Sequence, residues 1–246
     1  MLNICVLGKG LLAETTVDCC KRHFNVTWNT RMSEPPLDLV WACYDTPLSD
    51  QGADYDWVIK RIRGFILLET KPIPMLISSQ LPVGTVAQLE REFPAWSFAY
   101  SPENIRVATP VSDFMRQDRI VVGRRVEFPH HDKLWYDLTR PFTDYLILTD
   151  PETAEMVKHA LNAYLGMNIA FINEIERIAR VVGANMDDLE RALLSEHRIS
   201  PDAPLHAGPT FEKGHLAREL QLLTYLSREH GLRTPLLDSI LPSNTP

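Results

Sequence analysis

The chain has no cysteine beyond residue 43, and the four it carries, Cys5, Cys19, Cys20 and Cys43, form no Cys-x-x-Cys pair. Neither a disulfide framework nor a thiolate metal knuckle is expected, and these residues read as reduced, mostly buried small hydrophobes of a cytoplasmic protein. The eight histidines lack ligand spacing too: His130 and His131 are adjacent, and a flexible stretch separates His206 from His215. No metal site is expected. Positive charge is also in deficit. A formal net charge of −7 disfavours a surface that wraps nucleic acid or lies on an anionic membrane. No uncharged apolar run approaches the roughly 18 residues of a spanning helix, and Met-Leu-Asn-Ile-Cys lacks the basic opening of a leader. Neither a membrane span nor a signal peptide is expected, and there is no internal repeat. What remains is a 246-residue chain, 45% hydrophobic and 23% charged, enough for one large core or two modest ones.

The opening carries the first functional pattern. Asn3 to Gly8 is a short run of strand formers that leads into Gly8-Lys9-Gly10-Leu11-Leu12-Ala13 and then a helical stretch ending near His23. This is the G-x-G-x-x-A form of a dinucleotide-binding turn. Gly8 permits the tight turn, Gly10 lets backbone approach a pyrophosphate, and Ala13 lets helix pack on strand. Leu11 and Leu12 offer their N–H groups to the phosphates. A second strand, Asn25 to Asn29, ends where an NAD site has a carboxylate for the ribose hydroxyls. Asn29, Thr30 and Arg31 stand there instead, so NADP is as well suited as NAD. A third strand, Asp38 to Tyr44, runs into Tyr44-Asp45-Thr46 at its carboxyl end, where ligands of open α/β sheets bind.

Strands and helices continue to alternate: a helix from 55 to 68, strands at 75 to 80, 96 to 100, 119 to 123 and 144 to 149, with a further helix after Thr85. The pattern predicts a doubly wound, mainly parallel Rossmann-type sheet over residues 1–150, followed by an all-helical domain over 151–246.

Asp150-Pro151-Glu152-Thr153 caps a long helix that Gly183 closes. Between Ala160 and Ile172 this helix is apolar on nearly every side, which predicts burial all round. Lys158 and Asn162 interrupt it four residues apart, and Gly166 continues their line with no side chain to obstruct close approach. A buried amine or amide needs a partner, a ligand or water.

Several stretches together resemble the UDP-glucose/GDP-mannose dehydrogenase family: GKGLLA at the start, Ser78 to Thr85 (SSQLPVGT), Ser101 to Arg106 (SPENIR) with DRIVVG after it, and Thr153 to Ile175. The resemblance implies an NAD-binding Rossmann domain and a helical domain that commonly mediates dimerisation, hence a homodimer through the 151–182 helix. It also implies that Lys158 and Asn162 are the active-site lysine and asparagine, which hold a catalytic water and the charge on the reacting oxygen, with Glu103 as a carboxylate near the site.

The departures matter as much. His215 stands where the family has the cysteine that carries the second oxidation, and an imidazole is a poor substitute for a thiolate in that role. Glu212 and Lys213 replace paired glycines, Arg218 a lysine and Glu219 an aspartate, although Arg218 keeps a charge that can clamp an anionic substrate. Gln80, on the cofactor side, replaces a threonine, and Val107 a glutamate. The chain ends about where the family's third, nucleotide-binding domain would begin, which leaves a nucleoside diphosphate handle without an obvious home. Three readings follow. The first is an NAD(P)-dependent oxidoreductase limited to one alcohol/carbonyl hydride transfer on a sugar nucleotide or hydroxy acid, with His215 as a possible proton shuttle. The second is a catalytically inactive relative that binds a dinucleotide or dimerises. The third is an enzyme like the β-hydroxyacid dehydrogenases, which share the Lys-x-x-x-Asn helix.

Overall fold

The computed structural model describes residues 1–30, 35–49, 52–126, 131–211 and 215–244. It resolves into two compact units, Met1–Lys158 and His159–Pro246.

In the first unit, β1 (Asn3–Leu7) runs through the glycine turn into α1 (Leu11–Cys20), and β2 (Asn25–Trp28) and β3 (Leu39–Ala42) follow. A two-stranded ribbon, β4 (Leu48–Ser49) and β5 (Gly52–Ala53), precedes α2 (Tyr55–Ile66). Then come β6 (Met75–Ile77), α3 (Thr85–Glu92), β7 (Phe98–Tyr100), α4 (Pro110–Met115), β8 (Ile120–Arg124), α5 (Asp132–Thr139), β9 (Leu146–Thr149) and the start of α6 (Pro151–Val182). Among the described residues these strands form a seven-stranded sheet in the order β2-β1-β3-β6-β7-β8-β9. All neighbours are parallel except β7 and β8. This is the expected α/β fold.

Alternation along β1 shows how one strand serves two cores. Ile4 and Val6 pack on one face with Leu12 and Val17 of α1, Phe114 of α4 and Trp135 of α5. Cys5 and Leu7 pack on the other with Ile59 and Ile62 of α2 and Leu89 of α3. A side-chain period of two thus makes every central strand apolar throughout. The four cysteines are all buried free thiols; burial raises the thiol pKa of Cys20 and, despite the hydrogen bond between Cys43 and the Thr16 hydroxyl, that of Cys43. The sheet order reverses between β1 and β3, which lie side by side, so the glycine turn and the Tyr44-Asp45-Thr46 turn meet at the switch point.

The first turn of α6 is fixed as the sequence indicates. Asp150 accepts hydrogen bonds from the Thr153 amide at 2.8 Å and the Thr153 hydroxyl at 2.7 Å. Arg125 at the end of β8 holds Glu152 through two hydrogen bonds, at 2.9 and 2.6 Å, and also reaches Glu90 of α3. At the far end Gly183 takes a positive φ of 74°, a conformation that favours glycine as a helix stop.

The expectation that α6 is buried on every side from 160 to 172 is not met. Tyr164 is 50% and Phe171 47% exposed, and Met156 and Ile178 also face solvent. Composition alone does not distinguish a helix enclosed all round from one that leaves an apolar stripe uncovered.

In the second unit, α6 is followed by α7 (Met186–Leu194), α8 (His215–Glu229) and α9 (Pro235–Ser243). Ala163, Ala170, Leu220 and Ile240 form its buried core.

At Gly123 of β8 the sheet lies close against the start of α6. A Cβ there would lie 2.6 Å from the Ala154 Cβ and the Asp150 carbonyl oxygen and 2.7 Å from the Pro151 Cα. Gly123→Ala is expected to cost about 1–3 kcal/mol, read as a lower urea midpoint at unchanged slope. A wild-type midpoint would mean that the α6 start can retreat from β8 freely.

Candidate functional site

The glycine turn is built for close backbone approach. Gly8 and Gly10 have φ of 144° and 101°, and a Cβ on Gly8 would lie 2.2 Å from the Cys43 carbonyl oxygen. Asn29, at φ 52°, is spent on this turn: its side chain accepts from the Gly8 amide at 2.9 Å and donates to the Gly8 carbonyl at 2.7 Å. The Trp28 indole N–H donates to the same carbonyl at 3.0 Å. Asn29 therefore braces the turn and has little left to offer a ribose.

The amides at the start of α1 already hold an anionic oxygen. Asp45 Oδ2 accepts from the Leu11 N–H at 3.1 Å, and the Leu12 N–H also contributes. A Cβ on Gly10 would lie 2.0 Å from that oxygen. Desolvation raises the Asp45 pKa above its ordinary value; the Leu11 and Leu12 amides lower it less, and the nearby Glu103 and Glu14 charges raise it further. The seat thus fits an anion such as a dinucleotide phosphate, and the chain's own carboxylate competes for it.

Around it, the Tyr44 amide donates to Ser79 Oγ at 2.8 Å and the Thr46 hydroxyl to the Gln80 carbonyl at 2.7 Å, which ties the β3 and β6 ends together. The Thr30 carbonyl accepts the Cys5 thiol at 3.6 Å. Leu12 side-chain atoms belong to the core. Arg31 lies outside the described residues.

Lys158 closes the first unit. Only 9% exposed, its ammonium donates to the Glu103 carbonyl oxygen at 2.7 Å and to Glu103 Oε1 at 3.3 Å. The other oxygen of Glu103 accepts from the Ile105 amide at 2.9 Å. The SPENIR loop therefore supplies the counter-charge that a buried ammonium requires.

Asn162 belongs to the second unit, four positions further along α6. It is 3% exposed, and its Nδ2 has no hydrogen-bond partner among the described residues. A buried donor left this way is costly and is a natural point for a ligand or water to attach. Gly166 is different. The space its missing side chain leaves is taken by Phe211 and Leu220, each 3.2 Å from a hypothetical Cβ, so this glycine serves packing. Arg218 Nε donates to Glu219 Oε1 at 3.2 Å. His215 begins α8, but its side chain, like Glu212 and Lys213, lies outside what the structure describes.

Four buried polar groups on α6 escaped the sequence reading: Glu155, His159, Asn168 and Asn173. Glu155 accepts from the Gly84 amide at 2.6 Å and the Val86 amide at 2.9 Å, capping α3. His159, fully buried, pairs through Nδ1 with the equally buried Glu219. Glu155, Lys158, His159 and Asn162 recur at spacings of three and four, the signal that would have revealed the full polar stripe.

Residues 152–246 match the model of the UDP-glucose/GDP-mannose dehydrogenase family, central domain. The chain is 31% identical over 245 residues to UDP-glucose 6-dehydrogenase YwqF of Bacillus subtilis (strain 168), covering 95% of this chain and 54% of that protein. It is 29% identical over 240 residues to UDP-glucose 6-dehydrogenase of Rhizobium meliloti (strain 1021), covering 90% and 53%. A solved UDP-glucose dehydrogenase from Pyrobaculum islandicum superposes with a TM-score of 0.82 at 20% identity, over 99% of this chain and 68% of that one. The similarity to the UDP-glucose/GDP-mannose dehydrogenase family's central domain thus lies in residues 152–246, and the chain spans about half the length of the curated relatives it matches.

Burial raises the pKa of Glu219, but the hydrogen bond and charge of His159, with the charge of Arg218, outweigh this and hold it below the ordinary glutamate value. A lowered native pKa stabilises the fold fully above the unfolded value, about 4.3, and that contribution is lost as pH falls through the lower native value. Wild-type stability should decline across that acidic window, and Glu219→Gln should flatten the decline. Identical acid profiles for the two would contradict the assigned pairing.

Proposed function

We propose that the chain is a dinucleotide-dependent oxidoreductase that performs a single alcohol/carbonyl hydride transfer on a sugar nucleotide or a hydroxy acid. The observation that carries this reading is the Lys158 ammonium, buried and held at 2.7 Å by the Glu103 carbonyl, on the helix that the family model matches. A bound nicotinamide supplies the hydride acceptor. Lys158 holds the charge that develops on the reacting oxygen, and Glu103 pairs with the ammonium and aims it. Asn162, with its unspent Nδ2, orients the substrate. His215 replaces the nucleophile needed for a second oxidation, so the reaction stops at the carbonyl.

A specific observation favours a second reading, an inactive relative that senses a dinucleotide. Asp45 sits on the Leu11 amide, and a pyrophosphate must displace it against like-charge repulsion. The two readings separate in one set of titrations. Under the enzyme reading, wild type reduces a nicotinamide dinucleotide with some member of a sugar-nucleotide and hydroxy-acid panel, and Lys158→Ala lowers turnover by roughly 10²-fold or more without losing dinucleotide affinity. Asp45→Asn tightens dinucleotide binding roughly tenfold under either reading. A dinucleotide-induced rise in melting temperature without turnover on any substrate supports the sensor, and full turnover by Lys158→Ala removes that residue from the chemistry.

Homodimerisation belongs to the same proposal. The uncovered stripe of Met156, Tyr164, Phe171 and Ile178 on α6 is the apolar surface a second copy would cover. Sedimentation should show a dimer that Phe171→Asp converts to monomer; an unchanged mass in that variant would exclude this face.

A further inference from the structure

A regular row runs along the part of α6 that belongs to the second unit. Leu161, Tyr164, Asn168, Phe171, Ile175 and Ile178 follow one another at alternating spacings of three and four, the repeat by which one helix sets its side chains into the gaps of another. Tyr164, Phe171 and Ile178 are exposed, and Leu161 and Ile175 are half-buried, so the row is open to a partner. Asn168 is the one amide in it. It is 8% exposed, its Nδ2 has no hydrogen-bond partner among the described residues, and the buried core of this unit does not include it. An unspent donor in that position is costly. Turning the amide outward forfeits no hydrogen bond at Nδ2, so presenting it to a partner costs only a side-chain rotation. In paired helices a single asparagine among apolar contacts fixes orientation and register, because any other register leaves its amide against hydrocarbon.

The row is its own complement when reversed. Antiparallel pairing about a point midway between Asn168 and Phe171 sets Leu161 against Ile178, Tyr164 against Ile175 and Asn168 against Phe171 of a second copy. Each aromatic ring then meets a smaller side chain, whereas parallel pairing in register sets Tyr164 on Tyr164 and Phe171 on Phe171, which packs less evenly. Antiparallel helices also bring opposite ends of their dipoles together. In that arrangement the two Asn168 residues stand three positions, about 4.5 Å, apart along the axis, close enough for each amide to reach the other. We infer that a second copy of this chain packs antiparallel on this row and that Asn168, pairing with Asn168 of that copy, fixes the orientation and register of the two helices. The inference rests on the homodimer reading above and adds to it the residue that specifies the pairing.

The test is oxidative cross-linking of the whole chain carrying Leu161→Cys and Ile178→Cys, singly and together, with the four native thiols buried and the fold verified by circular dichroism. Expected is a covalent dimer from the double variant and none from either single variant. Adding Asn168→Leu should abolish this selectivity, so that the single variants cross-link as well. A covalent dimer from a single variant that retains Asn168 indicates parallel helices and overturns the inference. Selectivity that survives Asn168→Leu overturns the assignment to Asn168. A wild type that sediments as a dimer while the double variant does not cross-link overturns the register and leaves the homodimer reading standing. A wild type that sediments as a monomer removes the homodimer reading and this inference with it.

Discussion

The interaction on which the proposed dinucleotide binding depends is the hydrogen bond from the Leu11 amide to the Asp45 carboxylate, 3.1 Å long. An α-helix begins with unsatisfied N–H groups and a partial positive charge, so an anionic oxygen is stabilised there. The fold delivers both halves of the pair. Sheet order puts the β1 and β3 ends side by side at the reversal of winding, and two glycines at positive φ keep the space between them clear of side chains. A carboxylate from one turn then reaches the helix that starts at the other. The same geometry that makes an anion seat also gives the chain an internal occupant for it, so any pyrophosphate binds by exchange and not by simple addition.

A second constraint runs along α6. Glu155 caps α3 and Lys158 is neutralised by Glu103 in the first unit, while in the second His159 pairs with Glu219. Each of these buried polar groups is costly without its partner, so together they specify which neighbours the helix must have. Asn162 differs from these groups because its amide nitrogen keeps a donor unspent among the described residues, a feature it shares with the buried Asn168 and Asn173 further along the helix.

Much of the secondary structure was legible in the amino acids. Short β-branched runs, the glycine turn, the Asp150 cap and the Gly183 stop gave strands and helices that agree with the structure to within a few residues. Strand direction was not: β8 is antiparallel to β7, and periodicity carries no information on direction. The short β4–β5 ribbon was missed because two-residue strands leave no pattern. Burial of α6 was misjudged because Tyr164 and Phe171 are as apolar when facing solvent as when enclosed. At the site, the sequence pointed to Gly10, Leu11 and Asp45 separately, but that the third sits on the second depends on loop geometry. Gly166 looked like an opening for substrate, yet only the fold reveals that Phe211 fills it. The resemblance to the nucleotide-sugar dehydrogenases located Lys158 and Asn162 by position, while Glu155 and His159 needed the coordinates.

The most direct test of this account is a backbone amide NMR titration that follows Gly10, Leu11 and Leu12 as a nicotinamide dinucleotide is added. The account predicts saturable shifts at the Leu11 and Leu12 amides, accompanied by a change at Asp45 as its carboxylate leaves them. Amides that stay unmoved at millimolar dinucleotide, with Asp45 still in place, would contradict it.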